Sequence, residues 1–263
     1  MILSAVAVRI EVRLDIGGIL SGRKHGIVLE ARDVVKQYTT VSESKALKGV
    51  SLRVRSGEFV MLFGPSGCGK STLLNTLYGL EIPTSGDVLL RGKNLFKMSE
   101  RELDNVHQHK IGYVFQQFSF LRNLSVLDNV CLPKMFVGES FKVRRKRALE
   151  LLAMLSLDQY AKRYPQELSG GQQQRIALAR GLMNNPWIMF FDEPTGNLDK
   201  KTGDHVMNMI RYLNRHSHKT VVMVSHNPDY LDYAHRVVFM QDGEIKDEKI
   251  NHKLMFLVPP DKE

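Results

Sequence analysis

The spacing of apolar residues changes several times along the chain, and each change predicts a new element. Short, largely apolar runs at 188–191 and 220–224 are typical of strands buried at the centre of a parallel sheet. Apolar residues that recur every three or four positions predict helices. The predicted strands are Ile27–Ala31, Val50–Val54, Glu58–Phe63, Ile188–Phe191 and Thr220–Val224, followed by a hairpin of Val237–Met240 and Glu244–Ile245. The predicted helices are Lys70–Tyr78, Arg101–His109, Arg144–Leu157 and Gly171–Met183.

Strands that alternate with helices predict an α/β domain over residues 27–250. The stretch at about 117–180 is predicted to form a helical subdomain inserted into it, and 251–263 a C-terminal tail. Residues 1–26 differ, because apolar and polar residues alternate from Val6 to Ile16 before glycines break the pattern. That extension is predicted either as an added edge strand or as upstream sequence with no role in the fold. Polar residues around Thr39–Ser44 predict a turn between the first two strands.

Composition and charge narrow the class of protein. The 263 residues are 43% hydrophobic and 25% charged, as in an ordinary globular protein. No apolar run approaches the roughly 18–20 residues that span a bilayer, so a cytosolic chain is expected. The formal net charge of +9 is concentrated at 142–147, in Lys142 and a run of four basic residues that starts at Arg144. That cluster predicts the charged outer face of a helix, or a contact with a membrane surface or partner.

The segment 64–71 fits the phosphate-binding pattern G-x-x-x-x-G-K-[ST], between a predicted strand and a predicted helix. Its glycines leave room for backbone N–H groups to approach phosphate oxygens, and the helix N-terminus behind them favours anions. In this pattern Lys70 reaches the β- and γ-phosphates of ATP and Ser71 ligates Mg²⁺. The nucleotide-binding residues predicted here are Gly64, Pro65, Ser66, Gly67, Cys68, Gly69, Lys70, Ser71 and Thr72.

Cys68 lies in this loop beside Lys70, a setting that favours the thiolate. We therefore expect alkylation of Cys68 to block ATP binding. The alternative is a small residue that fills a permissive position.

Two acidic residues follow the apolar strand at 188–191. Residues at the carboxyl end of a buried parallel strand often line a binding site. Asp192 is the predicted Mg²⁺ ligand and Glu193 the predicted general base for an attacking water. The alternative is a solvated acidic turn before Pro194.

The segment Leu168-Ser169-Gly170-Gly171-Gln172, taken with the phosphate loop and Phe190-Phe191-Asp192-Glu193-Pro194, resembles the ATPase module of the ATP-binding cassette (ABC) family. The resemblance covers about Ile27 to Ile245. It implies a phosphate-loop NTPase core with a mixed, largely parallel sheet, an N-terminal antiparallel β subdomain and an inserted helical subdomain.

The resemblance also implies roles for residues outside the phosphate loop. Tyr38 is expected to stack on adenine, although a surface aromatic at a turn is the alternative. Gln116 is expected to contact Mg²⁺ and the attacking water, with Gln117 as the neighbour most easily confused with it. Asp199, in Asn197-Leu198-Asp199, is expected to lie in a loop that crosses a dimer interface, and His226 to contact the γ-phosphate.

In that family Ser169, Gly170, Gly171 and Gln172 close over ATP held by another copy. The resemblance therefore implies a homodimer, or a paired cassette, in the ATP state. It also implies a separate transmembrane permease subunit, with the chain peripheral on the cytoplasmic face of the membrane and no nucleic-acid partner. Two segments resemble the lipoprotein-release, macrolide-export and cell-division branch: 193–199, and Phe115–Pro133, which ends with Asp128-Asn129-Val130-Cys131-Leu132-Pro133.

Two other functions stay open at the level of sequence. One is a mechanotransmitting ATPase that drives a membrane partner in envelope remodelling or division without transport. The other is a nucleic-acid-associated ABC ATPase, which the basic charge supports but the single cassette does not. Apolar residues after Gln116, at 118, 120, 121 and 124, are expected either to dock a partner or to lie in the core.

Overall fold

The computed structural model describes residues 26–38 and 45–255. They form two compact units. We call residues 26–117 and 186–255 the core unit, and residues 118–185 the helical unit. The alternating stretch at 6–16, the turn predicted around Thr39–Ser44 and the end of the tail lie outside the described residues.

A six-stranded sheet forms the centre of the core unit. Its order is β10-β9-β3-β8-β7-β6, and every neighbouring pair is parallel except β9 with β10. The central strands β3, β7 and β8 are buried along nearly their whole length, which is why their sequences are apolar runs rather than alternating patterns. The strands are β3 (Phe59–Phe63), β6 (Ile111–Val114), β7 (Ile188–Asp192), β8 (Thr220–Ser225), β9 (Arg236–Gln241) and β10 (Glu244–Ile250).

The C-terminal hairpin of this sheet is confirmed, and β10 is longer than predicted. Asp242 and Gly243 form its turn with φ values of 51° and 80°. Positive φ at both central residues is the backbone of a two-residue turn that matches the twist of the strands, and Asp-Gly adopts it readily.

A second, antiparallel sheet packs in the same unit with the order β2-β1-β4-β5. Its strands are β1 (Ile27–Gln37), β2 (Lys45–Arg55), β4 (Ser85–Leu90) and β5 (Lys93–Asn94). Along β2, the side chains of Leu47, Val50, Leu52 and Val54 are buried while their neighbours between 51 and 55 are exposed. That alternation gives the sheet one apolar face, which joins the core.

Four helices belong to the core unit: α1 (Lys70–Tyr78), α2 (Glu100–His109), α6 (Lys200–Ser217) and α7 (His252–Met255). The bounds of α1 are those predicted. Helix α2 begins at a capping box, in which Ser99 accepts from the backbone of Glu102 and the Glu102 carboxylate accepts from the backbone of Ser99.

The helical unit contains α3 (Val126–Phe136), α4 (Phe141–Met154) and α5 (Gly170–Gly181). Helix α4 begins three residues before its predicted start and stops at Met154 rather than Leu157. It stops there because Ser156 adopts a left-handed φ of 57°, which a helix cannot continue through. Helix α3 contains Pro133, a residue that normally indicates a helix end, and the sequence did not predict α3.

Within the part of the chain that the structure describes, no helix is both long enough and apolar enough to cross a membrane.

Candidate functional site

The predicted phosphate loop joins the end of β3 to the start of α1 in the core unit. Gly67 and Gly69 have φ values of 78° and 99°, a region that residues with side chains rarely adopt. At Gly64 an added Cβ would lie 2.2 Å from the carbonyl oxygen of Met240, and at Gly69 it would lie 2.4 Å from that of Ala46. Two of the three glycines are therefore required by backbone that packs behind the loop, in addition to the room that they leave for a phosphate.

The Lys70 side chain is buried and turns back over the loop. Its Nζ atom donates to the carbonyl oxygens of Gly64 at 2.9 Å and of Pro65 at 2.7 Å. Pro65, Ser66 and Gly67 are exposed. The loop thus places a fixed positive charge beneath an open turn of backbone, at the N-terminus of α1, which is an arrangement suited to an anion.

Cys68 is buried, at 5% exposure, and its Sγ atom lies 4.0 Å from Nζ of Lys70. The sulfur would also lie 3.0 Å from a Cβ built on Gly64. Packing against the loop makes access of an alkylating reagent slow, so the structure favours Cys68 as a small residue filling the loop interior.

Ser71 and Asp192 meet at the carboxyl end of β7. The Ser71 hydroxyl donates to Oδ1 of Asp192 at 2.9 Å. Burial raises the pKa of Asp192, the bond from Ser71 acts against that rise, and the nearby Glu193 carboxylate adds to it. A hydroxyl and one carboxylate fit Mg²⁺, which usually takes one or two carboxylates, waters and substrate phosphates rather than an all-protein cage. The described residues contain no group of three or more His, Cys, Asp or Glu placed to hold a metal.

Glu193 follows directly and holds an unusual backbone conformation. Its φ is 45°, and its N–H donates to the carbonyl of Val224 at 3.1 Å. Its carboxylate contacts two predicted site residues: Oε1 lies 3.0 Å from Nδ1 of His226, and Oε2 accepts from Nε2 of Gln116 at 3.4 Å. A carboxylate only accepts hydrogen bonds, so Nδ1 of His226 carries the proton in the bond to Glu193. The predicted base thus lies between the predicted histidine and glutamine.

Tyr38 is partly exposed, and its hydroxyl donates to the carboxylate of Glu81. The pKa of Tyr38 is raised by burial and by that bond. Asn75 joins the same group, since it donates to Glu81 at 3.3 Å and accepts from the Tyr113 hydroxyl at 2.7 Å. The ring of Tyr113 stacks on Phe115 at 4.1 Å between centroids. Burial raises the pKa of Tyr113 as well.

This chain of contacts runs from Tyr38 to the residue before Gln116. Sequence reasoning missed Asn75 and Glu81. The only signal was a polar residue within the apolar stretch of α1, one helical turn after Ser71.

Asp199 is the N-cap of α6. Its carboxylate accepts from the backbone N–H of Thr202 at 3.0 Å and from the Thr202 hydroxyl at 2.6 Å. Both bonds lower the pKa of Asp199. The side chain expected at a dimer interface therefore has a structural task within its own chain.

The segment 168–172 opens α5 in the helical unit. Ser169 and Gln172 form a capping box: the Ser169 hydroxyl accepts from the Gln172 N–H at 3.4 Å, and the Gln172 carboxamide accepts from the Ser169 N–H at 2.9 Å. Leu168 and Gly171 are buried, while Ser169 and Gly170 are exposed. Helix α5 therefore begins with a capped N-terminus at which Gly170 is exposed and has no side chain. The N-terminus of a helix attracts negative charge.

Comparison with known proteins identifies the family to which these site residues belong. Residues 47–196 match the family model described as ABC transporter. The chain belongs to the ABC transporter family.

Relatives of this ABC chain place it within the family. It is 47% identical over 220 residues to an uncharacterized ABC transporter ATP-binding protein, MJ1508, of Methanocaldococcus jannaschii, covering 83% of this chain and 97% of that one. It is 41% identical to the cell division ATP-binding protein FtsE of Bacillus subtilis, covering 83% and 94%. It is 43% identical to the macrolide export ATP-binding/permease protein MacB of Chlorobaculum tepidum, covering 84% of this chain but 34% of that longer protein. The predicted branch is thereby confirmed.

Solved structures agree with the fold of the ABC cassette. A dimeric structure of the ATP-binding cassette MJ0796 bound to ADP and phosphate superposes with a TM-score of 0.79 at 42% identity. The match covers 84% of this chain and 98% of that one. The predicted fold class is confirmed, and the chain is an ATP-binding, ATP-hydrolysing cassette subunit of an ABC transporter. These relatives do not favour a non-transport ATPase or a nucleic-acid-associated one.

Proposed function

We propose that two copies of this chain, or one copy and a paired cassette, enclose two Mg·ATP and drive a separate membrane-spanning permease. The observation that carries the proposal is the arrangement in the core unit. There the phosphate loop, the Ser71–Asp192 pair and the Glu193–His226–Gln116 group occur together, at or just after the carboxyl ends of adjacent strands.

Within the proposed site each residue has a distinct task. The loop N–H groups and Lys70 hold the phosphates, and Ser71, Asp192 and Gln116 hold the metal. When bound, Mg²⁺ would neutralise charge that develops on the phosphate oxygens. Tyr38 stacks on the adenine ring.

Glu193 is the proposed general base. Its carboxylate takes a proton from the attacking water as the oxygen bonds to the γ-phosphorus and ADP leaves. His226 donates through Nδ1 to Glu193, which fixes the orientation of the imidazole. In the doubly protonated ring, Nε2 would also donate to the γ-phosphate. Gln116 restricts the same carboxylate from its other side.

The other half of each site is proposed to come from the partner copy. Ser169, Gly170 and Gly171 would present the N-terminus of α5 to the γ-phosphate, and Gln172 keeps that turn rigid through the capping box. Asp199 would support the interface loop by fixing the start of α6. The dimeric structures of the cassette MJ0796 support this assembly.

The proposed permease partner is of the export or lipoprotein-release type, and the chain would lie peripherally on the cytoplasmic face of the membrane. Support comes from MacB, whose name couples an ATP-binding part to a permease. The test is co-purification of the intact chain from native membranes, followed by transport of a labelled substrate in vesicles that contain the recovered permease. Recovery of a permease and ATP-dependent movement of substrate are expected. A partner that stimulates hydrolysis without moving any substrate would contradict the transport role.

A further inference from the structure

An exposed apolar surface lies at the turn between α3 and α4 of the helical unit. We call residues 135–146 the hairpin tip. They comprise the end of α3, the turn at 137–140 and the beginning of α4. Met135, Phe136, Phe141 and Val143 are 53%, 74%, 56% and 47% exposed. Phe136 is the most exposed large hydrophobic side chain among the described residues. Four such side chains lie within nine residues, which is a local concentration of exposed apolar side chains at this turn.

The same segment is strongly basic. Lys142, Arg144, Arg145 and Lys146 follow Phe141 within α4, and the guanidinium groups of Arg144 and Arg145 lie 5.4 Å and 5.9 Å from the centroid of its ring. The one acidic residue of the tip, Glu139, pairs with Lys134 at 3.4 Å. No salt bridge to the four basic residues is found in the part of the chain that the structure describes.

Apart from the contacts of Arg144 and Arg145 with the Phe141 ring, interactions inside the helix do not account for these cations. The first turn of α4 contains no acidic residue, and Ser140 makes no side-chain capping bond. Cations near a helix N-terminus are opposed by the helix dipole. The four charges are therefore available to an anionic partner outside the chain.

We propose that the hairpin tip binds the anionic surface of a lipid bilayer directly. Met135, Phe136, Phe141 and Val143 would enter the headgroup region, and the four basic side chains would lie at the level of the lipid phosphates. Aromatic and aliphatic side chains beside clustered Lys and Arg are the combination that interfacial segments use. A nucleic-acid backbone would supply phosphates but no apolar phase for Phe136. A lipid surface supplies both, which is why it is the occupant that this chemistry favours.

This contact goes beyond the proposed function, because it requires neither ATP nor a permease. It would hold the cassette at the membrane before any partner binds. The four cations should make it dependent on the charge of the lipid and on ionic strength.

The test is sedimentation of the purified full chain with vesicles, without nucleotide. One set of vesicles is an equimolar mixture of phosphatidylglycerol and phosphatidylcholine, and the other is phosphatidylcholine alone. We expect binding to the first set that weakens as salt rises, and little binding to the second. In Lys142→Gln/Arg145→Gln the affinity should fall about 30-fold, because each basic residue near an anionic surface contributes about a factor of five. Phe136→Ser/Phe141→Ser should weaken binding as well.

The matched control is Lys249→Gln/Ile250→Ser, which removes one exposed cation and one exposed apolar side chain from β10 in the core unit. It should bind vesicles as the parent chain does. Phe136→Trp gives a direct readout, since the fluorescence that it adds should shift to shorter wavelength when anionic vesicles are present. Circular dichroism and ATP hydrolysis, expected to be unchanged, confirm that each variant is folded.

Several results would overturn the proposal. One is that the parent chain does not bind anionic vesicles or binds both vesicle types equally. Another is that both tip variants bind anionic vesicles as tightly as the parent chain. Tip variants could also bind vesicles normally but no longer bind a permease, a second copy or an oligonucleotide. That result would assign the surface to the partner that is lost. A parent chain that binds vesicles but fails to hydrolyse ATP would count against the proposed function and leave the lipid contact intact.

Discussion

Nδ1 of His226 lies 3.0 Å from Oε1 of Glu193, although 33 positions separate the two residues in sequence. Glu193 directly follows β7, and His226 directly follows β8. The two strands are parallel neighbours in the sheet. The Glu193 side chain is largely buried, while that of His226 is about half exposed. The sheet therefore brings the proposed base, which follows one strand, beside a histidine that follows the next strand.

The first prediction concerns this pair. In His226→Ala the rate of ATP hydrolysis should fall about 100-fold or more, because a correctly positioned base contributes roughly 10²–10⁴ to a rate. ATP affinity should fall by less than the rate, because the phosphate loop is untouched and only the proposed contact of His226 with the γ-phosphate is lost. Steady-state phosphate release, analysed for kcat and KM separately, measures both effects. The control is His216→Ala, at an exposed histidine on α6. Equal kcat for His226→Ala and the parent chain would remove His226 from the mechanism.

The second prediction separates the ring of Tyr38 from its hydroxyl. Tyr38→Ala should weaken ATP binding by about 5- to 150-fold, because stacking of a base on an aromatic ring is worth about 1–3 kcal/mol. Tyr38→Phe keeps the ring and loses the hydrogen bonds of the hydroxyl, including the one to Glu81, so its affinity should stay close to that of the parent. Calorimetric titration with a non-hydrolysable ATP analogue compares the three. If the alanine variant binds as tightly as the phenylalanine variant, Tyr38 is a surface aromatic and adenine lies elsewhere.

A third prediction concerns the fully buried Asn129 in α3. Its Oδ1 atom accepts from the N–H of Leu121 at 2.9 Å, and the two hydrogens of Nδ2 are shared among the carbonyls of Leu121, Leu124 and Ser125, each at 3.0 Å. It thereby holds the start of the helical unit onto α3. Asn129→Ala should destabilise that unit by about 1–3 kcal/mol, because partly buried backbone groups of Leu121 and Leu124 lose their hydrogen-bond partner.

Urea unfolding and hydrogen exchange at Leu121 measure this loss. The exposed Asn123 is the matched control, and Asn123→Ala should change the free energy of unfolding by less than about 0.5 kcal/mol. Unchanged protection of the Leu121 amide in Asn129→Ala would contradict the assigned role.

A fourth prediction is a pH dependence that comes from His235. Its Nδ1 atom accepts from the N–H of Phe59 at 2.9 Å, so the buried ring is held neutral. Burial lowers the pKa of His235 below its ordinary 6.5, the nearby Arg215 adds to this effect, and Glu58 acts against it. The unfolded chain therefore takes up this proton first as pH falls. Stability should be fully present above about pH 6.5 and decline below it, until the folded-state pKa is reached.

Urea unfolding between pH 5 and pH 8 checks this dependence. His235→Gln keeps an acceptor for Phe59 but does not titrate, so its stability should vary less over this range. His216→Gln, at the exposed histidine, should keep the slope of the parent chain. An equally steep slope in His235→Gln would mean that another group carries the effect.

The phosphate loop was predictable because its function depends on contiguous residues. Glycine spacing, Lys70 and Ser71 lie within eight positions, and the bounds of α1 follow from them. The central strands were predictable for a similar reason, since burial on both faces leaves a local apolar run. The sequence did not show why glycine is required at 64 and 69. The carbonyl oxygens that exclude a Cβ there belong to Met240 and Ala46, which are distant in sequence.

The contacts between distant segments were the part that the sequence did not supply. Tyr38, Glu81, Asn75 and Tyr113 come from four separate elements or turns, and no local spacing links them. Helix α3 was missed because Pro133 suggests an end where the helix continues. Asp199 was assigned only by resemblance, and its capping of α6 becomes visible once the start of that helix is known.

The central claim is that Glu193 is the base of a site completed by a second copy. Glu193→Gln removes the base but keeps a group of the same size, so ATP should bind without being consumed. Light scattering in the presence of Mg·ATP should then report a stable dimer with phosphate release near background, and Gly170→Asp added to that variant should return it to a monomer that still binds ATP. A Glu193→Gln chain that stays monomeric at saturating ATP and hydrolyses at the parental rate would contradict the account.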